Sequence, residues 1–214
     1  MAMDKRYLVV LDVDSTLIEN EVIELLAANA GSLEQVTAIT ERAMRGELDF
    51  EQSLRERVAT LRGLPESLFV RVRKEVTVTR GVPELIAGVK AAGGHVGVVS
   101  GGFHEILDPL AEHLQLDFWR ANRLEVEDGH LTGRVLGQVV DAAAKAQALM
   151  EWAGTTQTPI SQTVAIGDGA NDLKMMEAAG LSIAFVAKPI VRERADGTLD
   201  ERDLSRVLGL LRLT

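Results

Sequence analysis

The sequence predicts an α/β protein: a Rossmann-like doubly wound parallel sheet with a helical cap domain inserted after its first strand. Three observations carry this expectation. Tyr7 to Asp12 is a near-continuous apolar run, the pattern of a strand buried on both faces, and it ends in carboxylates. From Thr77 onward, short apolar runs alternate with helix-length segments, the pattern of right-handed crossovers in a doubly wound sheet. Between the two, residues 18–76 carry helical patterning alone. The expected division is a core of residues 1–17 and 77–214 and a cap of residues 18–76.

The elements follow in order. Val22, Leu25 and Leu26 mark a first cap helix that stops at Gly31. Ser32 is placed to cap a second, with Leu33, Val36, Ile39 and Ala43 on one face, and Gly46 ends it. Asp49 is placed to cap a third, with Phe50, Leu54, Val58 and Leu61 along its apolar side. Gly63-Leu64-Pro65 breaks it, and a fourth helix covers Glu66 to Glu75. The cap joins the core through two chain segments, near Leu17 and Val76, a geometry that permits hinge closure. In the core, a helix follows Gly81-Val82-Pro83, His95 to Ser100 is a strand, and a helix runs from His104 to Leu114. Asp117 to Ala121 reads as a short strand. Leu124–Val126 and Leu131–Val135 flank Asp128-Gly129 as a separate hairpin. Asp141 starts a helix to Trp152, Thr163 to Gly167 is a strand, and Asn171 to Ala179 is a helix. Leu181 to Val186 is the last predicted strand and Asp200 to Leu211 a closing helix.

Bulk composition narrows the function classes. A formal net charge of -9 with no Lys/Arg block disfavours a nucleic-acid partner. The absence of cysteine excludes disulfides and thiolate metal sites. Met1 to Arg6 is charged and the apolar run after it ends at Asp12, too short for a signal peptide or membrane span, so a cytoplasmic protein is expected. The four histidines show no metal-ligand spacing, and Met175-Met176 reads as core packing.

Three predicted strands end in polar residues at their carboxyl ends, where such sheets bind ligands. They are Asp12 with Asp14, Ser100 with Gly101 and Gly102, and Asp168 with Asn171 and Asp172 one turn on. Lys145 lies near the start of the helix between the last two. Each has a plain structural explanation by itself: a turn, a helix cap, a solvated lysine. Collected at one sheet edge they suggest phosphoryl transfer through an aspartyl phosphate. Asp12 is the candidate nucleophile. Asp14, two residues on, is the candidate acid and base, needed because the alkoxide of a phosphomonoester is a poor leaving group. Mg²⁺ held by Asp12, a carbonyl oxygen of Asp14, and Asp168 would offset the repulsion between carboxylate and phosphate. Lys145 adds positive charge, and Asp172 is expected to orient a ligand from behind. Ser100 and the N–H groups of Gly101 and Gly102, taken as a helix start, are expected to donate to the phosphoryl oxygens.

Asp12-Val-Asp-Ser-Thr16, Val99-Ser-Gly-Gly102, Lys145 and Gly167-Asp-Gly-Ala-Asn-Asp172 together resemble the four motifs of the haloacid dehalogenase superfamily, and the match spans the chain. The closer resemblance, through Glu21 and the segment Gly46 to Val58, is to members that act on O-phospho-L-serine. That resemblance implies that Glu21, Phe50 and Arg57 line a substrate pocket, with Ser100, Gly101, Lys145 and Asn171 also binding substrate. A related phosphatase of another small phosphomonoester, such as phosphohomoserine, is the alternative. Relatives often carry regulatory domains at the amino terminus, and none is expected here. A phosphoacceptor signalling domain uses similar groups, but its acceptor Asp follows the third strand and its first two strands are not split by a helical block. A silent binding domain would be expected to lack Asp12 or Asp14.

Overall fold

The computed structural model describes residues 6–213; the charged start at Met1 to Lys5 lies outside them. Strand β1 (Leu8–Leu11) occupies the middle of a seven-stranded sheet of order β4-β3-β2-β1-β5-β6-β7. Its neighbours β2 (His95–Phe103) and β5 (Thr163–Gly167) both pair with it in parallel. From β1 at the sheet's centre the later strands step outward both ways, which opens a crevice at the carboxyl end of β1. All four residues of β1 are 0–1% exposed, as its unbroken apolar run requires. Alternate side chains serve opposite layers. Val9 and Leu11 pack into one core, while Leu8 and Val10 meet Leu149, Trp152 and Met175 in the other. The second layer comes largely from α7 (Ala142–Thr155) and α8 (Leu173–Ala178). On the far side β5 pairs with β6 (Leu181–Phe185), and β6 with β7 (Gly197–Leu199). Among the described residues no helix is long and apolar enough to cross a membrane.

Helices α1 (Val22–Ala30), α2 (Leu33–Met44), α3 (Phe50–Ala59) and α4 (Leu68–Glu75) follow β1, as the pattern predicts. Gly31 ends α1 in the left-handed conformation, φ 73°. Asp49 accepts from the Gln52 N–H at 2.8 Å while Gln52 accepts from the Asp49 N–H, a reciprocal cap for α3. Ser32 does not cap α2; its hydroxyl pairs with Thr60 Oγ1 at 3.2 Å and ties α2 to the end of α3.

The two connecting segments pair with each other: the Thr79 N–H donates to Leu17 O at 3.0 Å and that of Glu19 to Thr77 O at 2.9 Å. A third attachment was not expected. Strands β3 (Phe118–Glu127) and β4 (His130–Leu136) form an antiparallel hairpin that reaches the helical block. Gly63 donates to Leu131 O, Leu131 to Leu64 O and Glu66 to Gly129 O, at 2.7–2.9 Å. A swing of the helices must therefore carry the hairpin along or break this ladder.

The short strand and the separate hairpin arm are in fact one strand. β3 pairs with β2 in its first half and with β4 in its second, and the extra residues of the two register shifts lie in β2 and β4. Helices α5 (Val82–Ala91) and α6 (His104–His113) fall where expected. The short helix α9 (Pro189–Arg192) and strand β7 were not anticipated; neither is long enough for a periodic signal. The closing helix α10 (Arg206–Leu211) starts late, because Asp203 accepts from the N–H and hydroxyl of Ser205 in a local turn.

Candidate active site

The chain leaves β1 through Asp12, whose N–H still donates to Ile166 O at 2.9 Å. It then coils tightly over Val13–Leu17, with Asp14 extended (φ -63°, ψ 134°) and Ser15 left-handed (φ 58°). This turn points the carboxylates of Asp12 and Asp14 into a common cavity.

Lys145, on the first turn of α7, is fully buried and donates to Asp12 Oδ1 and, at 2.7 Å, to Asp172 Oδ1. Asp141 caps α7 by accepting from the Ala144 N–H at 2.8 Å, which sets the helix start that aims Lys145. Asp172 Oδ2 accepts from the N–H groups of Asp168 (3.2 Å) and Gly169 (3.0 Å). Both its oxygens are thus engaged, and it stiffens the turn that carries Asp168.

Negative charge outweighs positive here. Burial and then the charge of Asp172 hold Asp12 well above the ordinary carboxylate range, against the pull of Lys145. Burial, reinforced by Glu21, pushes Asp14 up to about 7, although the Val22 N–H donates to its Oδ1. Burial and Asp172 push Asp168 up to about 6. Burial would lower Lys145, but Asp12 and Asp172 together raise it above its ordinary value. Carboxylate oxygens of Asp12, Asp168 and Asp172 lie within 4.8 Å of one another. With Asp172 committed to its hydrogen bonds, Asp12 and Asp168 are the carboxylates left to meet a cation. An all-oxygen donor set beside uncompensated charge fits a hard dication of the Mg²⁺ type.

Opposite Asp12, the Ser100 hydroxyl is 1% exposed and accepts from the Gly102 N–H at 2.7 Å. This corrects one expectation. Strand β2 runs on through Phe103, so Gly101 and Gly102 do not begin a helix, and the Gly102 N–H is already used. Buried Asn122 secures the loop, donating to Gly101 O and accepting from the Val140 N–H, both at 2.8 Å.

Helix α3 supplies another wall of the cavity. Phe50, Leu54 and Arg57 share one face of α3 and line it. A Cβ on Gly101 would stand 2.7 Å from the tip of the Phe50 ring; only glycine lets the ring sit on the β2 loop. Arg57 donates its Nε to Ser53 O at 3.2 Å, and its terminal nitrogens have no hydrogen-bond partner among the described residues. Glu21 accepts from the Ser15 hydroxyl at 2.7 Å at the rim.

Asp12, Asp14, Glu21, Phe50, Arg57, Gly101, Asp168 and Asn171 therefore all open onto one cavity. Ser100 and Lys145 do not line it and lie behind that surface. Sequence reasoning missed Ile23, Leu54 and Phe103 as lining residues, and also Lys188. Leu54 was legible from its spacing to Phe50. Lys188 follows the carboxyl end of β6, so the rule that found the other strand-end residues would have found it.

The chain matches the model of the haloacid dehalogenase-like hydrolase family over residues 9–177. It is 57% identical over 207 residues to a phosphoserine phosphatase of Streptomyces coelicolor, covering 97% of this chain and 50% of that protein. It therefore spans about half the length of that relative. A phosphoserine phosphatase of Streptococcus thermophilus is 52% identical, with 95% of each chain covered. A solved structure described as a phospho-aspartyl intermediate analogue of phosphoserine phosphatase superposes with a TM-score of 0.90. It is 46% identical, over 96% of this chain and 99% of that one.

Proposed function

The chain belongs to the haloacid dehalogenase-like hydrolase family, and from that membership we propose that it hydrolyses O-phospho-L-serine to serine and phosphate. The observation that carries the reading is one cavity with a phosphoryl-transfer cluster on its core side and an Arg57/Glu21/Phe50 set on its cap side. The carboxylate of Asp12 attacks phosphorus, the bond to the serine oxygen breaks, and Asp14 gives that oxygen its proton. Water then attacks the aspartyl phosphate, losing its proton to Asp14 and releasing Asp12. Lys145 holds one oxygen of Asp12 and thereby sets which oxygen faces the cavity. Asp12, Asp168 and a carbonyl of Asp14 would hold Mg²⁺, which supplies positive charge that offsets the meeting of carboxylate and phosphate. Arg57 receives the substrate carboxylate, Glu21 its ammonium, and Phe50 shields both from water. We treat residues 18–76 as the closing cap. We also assign the protein to the cytoplasm, in keeping with its lack of cysteine.

The test is phosphate release from phosphoserine, phosphohomoserine and p-nitrophenyl phosphate, with and without Mg²⁺. Phosphoserine should give the highest kcat/KM; a preference for phosphohomoserine would transfer the assignment to that substrate. Arg57→Ala should lower kcat/KM for phosphoserine by tens to about a hundredfold, the loss of a contact of about 2–3 kcal/mol. It should barely affect p-nitrophenyl phosphate, which has no carboxylate. Equal losses on both would assign Arg57 to the fold or the phosphate site.

Exhaustive EDTA treatment should remove activity and Mg²⁺ should restore it. Asp168→Ala should raise the Mg²⁺ concentration needed for half-maximal rate. Full activity in protein shown metal-free by elemental analysis would refute a metal requirement.

A further inference from the structure

Glu21 is exposed, and an unrestrained glutamate samples many rotamers. Here it is restrained. The Ser15 hydroxyl donates to Glu21 Oε1 at 2.7 Å, and Oε2 has no hydrogen-bond partner among the described residues. Ser15 is held for this by an unusual backbone. Its φ of 58° lies in the left-handed region, which non-glycine residues seldom adopt and which costs free energy. The turn is closed by its N–H, which donates to Asn20 O at 3.2 Å, and Asn20 Oδ1 in turn accepts from the Thr77 N–H at 2.7 Å. One residue earlier, Asp14 Oδ1 accepts from the Val22 N–H at 3.2 Å. Consecutive residues of the nucleophile turn thus hold consecutive residues at the start of α1. The position of Glu21 is tied to that of Asp14, and so to the site of phosphoryl transfer. An exposed Ser–Glu hydrogen bond contributes little to stability, since water competes for both partners. What it does supply is placement.

We propose that Ser15 is a positioning residue for amine recognition: its hydroxyl fixes the Glu21 carboxylate at the cavity rim at the distance from the phosphate site where a substrate ammonium arrives. The proposal rests on the reading that Glu21 receives the ammonium of phosphoserine. With the hydroxyl gone, Glu21 must give up rotamer freedom when substrate binds, and affinity for the amine falls.

The experiment is steady-state kinetics of Ser15→Ala, Ser15→Gly, Glu21→Gln and the double variant Ser15→Ala/Glu21→Gln. The substrates are phosphoserine and O-phospho-3-hydroxypropanoate, which keeps the carbon chain, carboxylate and phosphate of phosphoserine but lacks the amine. Ser15→Ala should raise KM for phosphoserine about tenfold, equivalent to about 1.4 kcal/mol, and affect O-phospho-3-hydroxypropanoate far less. Ser15→Gly removes the hydroxyl but relieves the left-handed backbone, so an equal rise in KM places the effect on the hydroxyl. On the Glu21→Gln background, Ser15→Ala should add nothing further. Equal losses on both substrates, or additive effects of the two substitutions, would overturn the proposal and make Ser15 a support for the Asp12–Asp14 turn. If Glu21→Gln itself fails to discriminate between the substrates, the assignment of Glu21 to the ammonium falls, and the proposal with it. If Glu21→Gln discriminates and Ser15→Ala does not, only the proposal about Ser15 falls.

Discussion

Asp12→Asn is expected to bring turnover to the detection limit, a loss of at least about 10⁴-fold, or about 5–6 kcal/mol of barrier. An amide cannot attack phosphorus, and no other carboxylate is arranged as Asp12 is. Asp14 is turned toward the start of α1 through the Val22 N–H, Asp168 lies on a different strand end, and Asp172 is committed to three donors. The fold should survive the change. Lys145 lies between two buried carboxylates, Asp12 and Asp172. Making one of them neutral leaves a matched pair rather than an unpaired charge. Rapid quenching of the wild type with phosphoserine should trap a phosphoprotein that base cleaves and acid preserves for a time, and Asp12→Asn should trap none. Near-normal turnover by the variant, with deamidation excluded by mass spectrometry, would end the aspartyl-phosphate mechanism. A trapped phosphoprotein that resists base would place the phosphoryl group on another residue.

Lys145→Met is expected to damage both stability and turnover. Methionine fills a similar volume, so the change isolates charge from packing. Asp12 is 4% exposed and Asp172 fully buried, and both would lose the cation between them. Breaking a buried ion pair from one side costs about 3–5 kcal/mol. For a chain of this size that corresponds to a drop in Tm of roughly 10 °C. The effect should depend on pH in a stated direction. Burial and Asp172 already raise the Asp12 carboxyl, so folding shifts its equilibrium toward the protonated form relative to the unfolded chain. Losing Lys145 raises it further. A carboxyl raised in the folded state destabilises the fold in full above that raised value; the penalty shrinks as pH falls through it and vanishes only below the ordinary carboxylate range of the unfolded chain. The stability gap to wild type should therefore be widest near neutrality and narrow toward acid. Urea unfolding at several pH values checks this. A gap under about 1 kcal/mol at pH 7, or one that widens toward acid, would show that Lys145 does not hold the cluster together.

The apolar run at Leu8–Leu11, the helical block after it and the alternation from Thr77 onward were readable because each buries a continuous face with a regular period. The strand-end rule found much of the core side of the cavity lining, Asp12, Asp14, Gly101, Gly102, Asp168 and Asn171, since sheet connectivity alone brings carboxyl ends together. The helical spacing of Phe50 and Arg57 placed both on one face of α3, although that face could have looked inward or outward from sequence alone.

What the tertiary structure decided is of another kind. No local pattern tells which partner a hydrogen-bonding group takes when several lie within reach. The Gly102 N–H goes to Ser100, Ser32 goes to Thr60 rather than its own helix, and Asn122 bridges Gly101 to Val140, residues 21 and 18 positions away. The change of partner that makes two expected strands one continuous β3, and the ladder between its hairpin and the helical block, likewise depend on neighbours remote in the chain. Sequence by itself determined the fold class and which side chains gather at the sheet edge, because burial and periodicity are properties of a segment. Only the folded chain decided which of those groups face the cavity and which lie behind it. Lys145 and Ser100 lie behind, since that outcome is set by the burial each group reaches and the donors and acceptors it finds there.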